Sequence, residues 1–363
     1  MNILILTSHL NIGGIPRYVI NLAKFLKRKG DNVYVGSRGG FWEEVLLKEG
    51  LELLRLPLNT KSILSPKIIR AFSLIGEFLR THKIDIIHAN TRVTQFLAYL
   101  VYKKKKIPYI STFHGCYRPH IFRRLFKFEG LKAIAISNYV GRHLVEKLKI
   151  DKGKIRLIYN GIDIKDYQDK DVECWVNKLK EKIKGYPLLG VVSRLTPEKN
   201  IASLIRMMPL LLEEFPQAKL VILGEGRQEL YLRKLVKELN LDKRVFFLKK
   251  IPSLAVFRIL DIFVSLSRGE PFGLSVIEAQ LAGLVSIVCN SGAFPEIVED
   301  KFNGIILEKE SPQALIEAIN LVLKNPKFRE ELIRNAQRKI IELFSIEIMG
   351  KNTYNLYKEV LSK

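Results

Sequence analysis

Residues Arg268–Asp300 read RGEPFGLSVIEAQLAGLVSIVCNSGAFPEIVED. The apolar run Ile262–Val264 precedes this stretch, and a second, Val285–Val288, lies inside it. Between them, Pro271-Phe272-Gly273 reads as a loop turning into a helix. Glu278 therefore projects from that helix, and Glu270 sits at its mouth. Strand, loop, helix and strand in that order make one crossover unit of a parallel sheet.

The same alternation runs the length of the chain. Asn2–Thr7, Asn32–Val35, Ile84–His88, Tyr109–Thr112 and Ala133–Ile136 read as strands, with helices over Pro16–Lys29 and Pro66–His82. After the polar stretch Asp163–Lys184, read as a linker, the series restarts at Leu188–Val192, Lys219–Leu223 and Val245–Phe247. The final helix spans Ile346–Leu361, with Ser345 as its N-cap. These readings predict two α/β domains, and ligands of such pairs bind in the cleft between them.

With 363 residues the chain is long enough for two full cores. No apolar run reaches the roughly 18 residues of a membrane-spanning helix. MNILILTSHLNIGG reads as a first strand rather than a signal peptide. Three scattered cysteines, Cys116, Cys174 and Cys289, predict no disulfide framework and fit a reducing cytoplasm. The net charge of +23 is uneven: residues 1–165 hold 30 Lys and Arg against 11 Asp and Glu. Either that half is a lysine-rich solvated surface, or it meets an anionic partner such as a membrane or acidic substrate.

Candidate chemistry sits where strands end. Asn11-Ile12-Gly13-Gly14 is either a tight turn or a loop that brings backbone N–H groups to a phosphate. Arg194 and Lys199, five residues apart in Ser193–Asn200, are either two surface cations or a pair for one diphosphate. His114 follows the strand Tyr109–Thr112 beside Gly115, placed to meet a sugar hydroxyl or developing charge. His88 is a weaker candidate of the same kind. Glu270 and Glu278 read either as a glycosidase-type acid and nucleophile or as acceptors for vicinal hydroxyls. Gly273 and Leu274, at a helix N-terminus, suit a phosphate.

Taken together, Glu270-Pro271-Phe272-Gly273, Glu278-Ala279, Ala282-Gly283 and Gly292-Ala293-Phe294-Pro295-Glu296 resemble the retaining glycosyltransferase family 4, with the GT-B fold. Gly13-Gly14, His114-Gly115, Asn160-Gly161-Ile162-Asp163, Arg194 and Glu198-Lys199-Asn200 extend the resemblance over nearly the whole chain. It implies two Rossmann-like domains facing a central cleft: an acceptor domain over 1–165, a donor domain over 166–344, and a C-terminal helix over 345–363 that crosses back to the first domain. It implies retaining, metal-independent transfer of a hexose from a UDP- or GDP-linked donor to a cell-surface glycan or glycolipid, by a cytoplasmic enzyme peripheral to the membrane.

By the same resemblance, Arg194 and Lys199 bind the donor diphosphate and Glu278 the ribose. Glu270 contacts the transferred sugar, with Phe272, Gly273 and Leu274 on its phosphate side. Gly13 and Gly14 approach the diphosphate, and His114 contacts the sugar. No cofactor and no metal is implied. The chain departs from the family pattern at Ile15-Pro16-Arg17, at Ala293 and at Gln280. Alternatives are a nucleotide-sugar epimerase, a glucan synthase, or a basic nucleic-acid-binding protein, although no nucleic-acid motif is present. Arg118–Phe128, RPHIFRRLFKF, reads as a helix with Ile121, Phe122, Leu125 and Phe126 on one face. That helix either packs on the sheet or lies in a membrane interface.

Overall fold

A computed structural model describes residues 1–117, 119, 121–167 and 172–362. Strands β1 (Asn2–Leu6), β2 (Asn32–Ser37), β3 (Glu52–Arg55), β4 (Ile86–Ala89), β5 (Tyr109–Phe113), β6 (Lys132–Ala135) and β7 (Ile155–Leu157) form one sheet, ordered β3-β2-β1-β4-β5-β6-β7. Strands β8 (Leu188–Val192), β9 (Lys219–Leu223), β10 (Val245–Leu248), β11 (Ile262–Ser265), β12 (Val285–Cys289) and β13 (Ile305–Leu307) form a second, ordered β10-β9-β8-β11-β12-β13. Every neighbouring pair is parallel. The chain divides into two compact units, Met1–Ile162 with Leu343–Lys363, and Asp163–Glu342.

Both sheets are covered on both faces, which is why their central strands are continuous apolar runs. In β1, Ile3 and Ile5 enter one core with Leu22 and Ile346, while Leu4 and Leu6 enter another with Ile75 and Leu97. Alternating side chains of one strand thus feed two cores. The strands that escape the sequence reading, β3, β7 and β13, are all sheet edges. Edge strands are short and carry charge, as Glu52, Arg55 and Arg156 do here, so their apolar signal is weak. Part of the expected linker is also regular structure. Glu173–Lys182 is a helix whose Val176 and Leu179 are buried, and it packs on the helix Ser253–Phe257.

The last helix, Ile346–Leu361, starts where Ser345 Oγ accepts the Ile348 N–H. Two backbone bonds tie its entry to the strand-like Ile162: Ile162 N–H to Phe344 O at 2.8 Å, and Ile346 N–H to Ile162 O at 3.0 Å. The helix then packs on the helix Gly14–Arg28. A Cβ on Gly350 would stand 2.3 Å from the Phe25 ring, so only glycine allows that approach. Its buried face is Met349, Thr353, Leu356, Tyr357 and Val360, whereas Leu361 faces outward.

That helix also completes a buried polar chain. Tyr18 and Thr112 share a hydroxyl contact at 3.2 Å. His88 lies 2.6 Å from Thr112 Oγ1 through Nε2 and 2.6 Å from Tyr357 OH through Nδ1. His88 is wholly buried with both nitrogens engaged, so it is a structural residue and not a ligand contact. Burial, with His114 nearby, pushes its pKa down to about 3 from the usual 6.5. A histidine held neutral in the fold costs stability in acid, because the unfolded chain takes up the proton first. Between pH 7 and pH 5, His88 alone should remove about 2 kcal/mol of stability. Denaturant titrations at both pH values should show a smaller acid loss in His88→Gln; equal losses refute the neutral assignment.

Candidate functional site

In an open parallel sheet, loops diverge where strand order reverses, and ligands bind at the carboxyl ends of the strands there. In the second unit this point lies between β8 and β11. The loop after β8 carries Arg194 and Lys199, and the loop after β11 carries Glu270. A backbone bond from Arg268 N–H to Glu198 O, 2.8 Å, joins the two loops. Lys199 Nζ lies 2.5 Å from Glu270 Oε2, with both side chains largely enclosed. Arg194 is exposed on the same loop and has no ion pair among the described residues. The structure therefore brings Lys199 and Glu270 together and leaves the Arg194 fork open to solvent.

Neighbouring groups fix this arrangement. Asn200, at φ 53°, donates to Glu310 Oε2 at 2.7 Å and accepts from Ser203 Oγ at 2.7 Å. Arg268 also reaches Glu310, at 3.2 Å. The main chain of Gly269 and Glu270 is held by two bonds: Ala293 N–H donates to Glu270 O at 2.8 Å, and Gly269 N–H to Ser291 Oγ at 2.9 Å. Gly292 has φ +64°, and a Cβ there would stand 2.4 Å from the Glu270 amide nitrogen and carbonyl oxygen. Sequence reading missed Glu310, which holds Asn200 and Arg268, and Ser291, which holds the Gly269 amide.

The helix Leu274–Leu281 begins immediately after Gly273, which has φ +111° and no side-chain cap. Val276 N–H donates to Gly273 O at 3.0 Å, while the amides of Leu274 and Ser275 precede any intrahelical acceptor and make a positive helix terminus. Glu278 sits on the second turn, 9% exposed. Phe272 is 3% exposed, so its ring is part of the core. Gln280, wholly buried, donates to Asn303 O at 2.7 Å. That bond satisfies the amide nitrogen and bridges the helix to the turn before β13, while Oε1 is buried with no hydrogen-bond partner among the described residues.

In the first unit the order reverses between β1 and β4. Gly13 and Gly14 follow β1, exposed, at the start of the helix Gly14–Arg28. Ser8 Oγ and Thr91 Oγ1, 2.7 Å apart, connect the β1 and β4 loops. His114 follows β5 directly. Its Nε2 is 3.0 Å from Asn90 Oδ1, and Tyr18 stands edge-on to its ring at 4.8 Å between centroids. Burial lowers its pKa to about 3. Asn90, absent from the sequence-derived candidates, ends β4 beside the reversal; only the strand order reveals its position.

Two family models match: Glycosyltransferase Family 4 over residues 12–166, and Glycosyl transferases group 1 over residues 175–339. An uncharacterized glycosyltransferase of Methanocaldococcus jannaschii is 28% identical, covering 96% of this chain and 94% of its own. Alpha-monoglucosyldiacylglycerol synthase of Acholeplasma laidlawii is 24% identical over 97% of this chain and 95% of its own. Among solved structures, a glycosyltransferase from Rickettsia africae has a TM-score of 0.86 at 25% identity, covering 100% of this chain and 99% of that one. The Anabaena protein HepE with UDP-glucose has a TM-score of 0.85 at 21% identity, covering 99% and 100%.

Gly292→Ala places a methyl group against the Glu270 main chain in a left-handed conformation. The second unit should lose at least about 1 kcal/mol, a fall in melting temperature of roughly 2 °C or more. An unchanged melting curve shows that the loop yields without cost.

Proposed function

Because the chain belongs to the group 1, family 4 glycosyltransferases with the GT-B fold, we propose that it transfers a hexose from a UDP- or GDP-sugar to a glycan or glycolipid. In this reading the anomeric configuration is retained and no metal is needed. The carrying observation is Lys199 seated on Glu270 at the strand-order reversal of the second unit.

The leaving group is a nucleoside diphosphate, so the chemistry needs positive charge where the phosphate departs. Lys199, Arg194 and the first-turn amides of Leu274–Leu281 supply it. Glu270 holds Lys199 in place in the free enzyme and accepts hydrogen bonds from sugar hydroxyls when the donor arrives. Glu278 accepts from the ribose hydroxyls. The acceptor hydroxyl attacks the anomeric carbon on the face from which the phosphate leaves. The bond from that carbon to the phosphate oxygen breaks, the new glycosidic bond forms, and the acceptor proton passes to the departing phosphate. No protein nucleophile is required, so the glycosidase-type alternative is dropped. In the first unit, Gly13 and Gly14 are assigned to a phosphate and His114 to a sugar.

A lipid-linked acceptor is supported by the name of the Acholeplasma relative and by the basic first unit. No described helix is long and apolar enough to cross a membrane. Of the segment 118–128, only Ile121–Leu125 is helical, and Arg118, His120 and the side chains of Ile121 and Phe122 lie outside the described residues. Leu125 is 68% exposed and Phe126 51%, beside the exposed Arg124, so they do not pack on the sheet. Exposed apolar residues among cations favour attachment to an anionic bilayer over the packed alternative.

UDP-, GDP- and ADP-sugars tested by thermal shift and donor hydrolysis, with EDTA present throughout, should yield at least one stabilising, slowly hydrolysed donor. Glu278→Ala should weaken its binding roughly tenfold or more, while Glu270→Gln should mainly lower kcat, also by roughly tenfold or more. No stabilisation by any donor rejects the reading. Separately, co-sedimentation should favour anionic over neutral vesicles and should fall in a Leu125→Ser, Phe126→Ser variant; equal binding to both vesicle types rejects membrane attachment.

A further inference from the structure

Asn90 is wholly buried at the end of β4. Its Nδ2 lies 3.3 Å from Leu6 O and 3.4 Å from His88 O. Both are carbonyl oxygens, which only accept, so the amide nitrogen must face them. The reversed amide would set Oδ1 against two oxygens. Oδ1 is thereby committed to His114, 3.0 Å from Nε2.

An amide oxygen also only accepts, so Nε2 of His114 must carry a hydrogen. Dense packing around the ring keeps it neutral, with a pKa lowered to about 3. A neutral imidazole has one ring hydrogen, and Nε2 holds it. Nδ1 is left with a bare lone pair and has no hydrogen-bond partner among the described residues. Tyr18, at an interplanar angle of 74° to the ring, restricts its rotation.

We propose that Asn90 is a positioning residue: it holds His114 as the Nε2–H tautomer, so that the ring meets a sugar hydroxyl as an acceptor through Nδ1. The acceptor role rests on the assignment of His114 to a sugar; the tautomer does not. The sequence leaves open whether His114 donates to a hydroxyl or stabilises developing charge, and this geometry replaces both with acceptance. It also removes His114 as a proton donor at neutral pH.

The test is long-range proton–nitrogen NMR on the full chain labelled with 15N-histidine, the His114 signals being those lost in His114→Gln. Wild-type His114 should show a protonated Nε2 and a bare Nδ1 throughout pH 5–8. Asn90→Leu should mix the tautomers. Asn90→Asp, whose carboxylate also only accepts, should keep Nε2–H but make the ring titrate at higher pH, and it serves if Asn90→Leu does not fold. A hydrogen on Nδ1 in the wild type, or unchanged shifts in Asn90→Leu, overturns the positioning role. UDP-glucose, GDP-mannose and ADP-glucose are then added in turn. A donor that protects the protein against heat should also move Nδ1 upfield, and protection without that movement overturns the acceptor role. Protection by none removes the sugar-binding reading instead, while the tautomer is judged by the nitrogen shifts alone.

Discussion

Parallel strands can be joined only by crossovers, and crossovers leave the carboxyl ends of all strands at the same end of the sheet. That constraint gathers the functional loops of this protein. In the second unit it brings the loops after β8 and β11 side by side, which is how Lys199 comes to rest on Glu270 from 71 residues away. In the first unit it sets Asn90, after β4, beside His114, after β5. Neither pair is joined by local geometry. Each exists because adjacent parallel strands end together.

Burial of polar groups imposes the second level of order. A buried hydrogen-bonding atom without a partner costs free energy, so partners are recruited from distant elements. His88 takes one from β5 and one from the last helix, 269 residues away. Asn90 takes two from strand carbonyls, and this fixes which of its ends faces His114. Such bonds are specific where apolar packing is not. They convert a generic α/β sandwich into one that holds particular side chains in particular protonation states.

Much of the fold was legible because its signals are local. Buried central strands such as Leu188–Val192 and Lys219–Leu223 read as apolar runs, and serine caps such as Ser345 marked helix starts. Three of the four edge strands were not legible: Ile155–Leu157, for example, has one face half-solvated and a central arginine. The helix Glu173–Lys182 was hidden because half of its residues are charged and only Val176 and Leu179 are buried. Of the site, Glu270, Glu278, Lys199 and the helix after Gly273 were legible from residue type and strand-end position. His88 was misjudged because a strand-end histidine looks the same whether its ring faces a ligand or the core.

The sequence alone determined the alternation of strands and helices, the two-domain α/β class, the family resemblance and the charge imbalance. Each of these is carried by composition or by neighbours within a few residues. Only the tertiary structure decided which strands lie side by side, and therefore which strand-end residues meet. It paired Lys199 with Glu270, seated Gly292 under the Glu270 main chain, withdrew His88 into the core and set Asn90 against His114. The physical reason is that strand order is chosen by the packing of whole elements, and no single stretch of sequence records it.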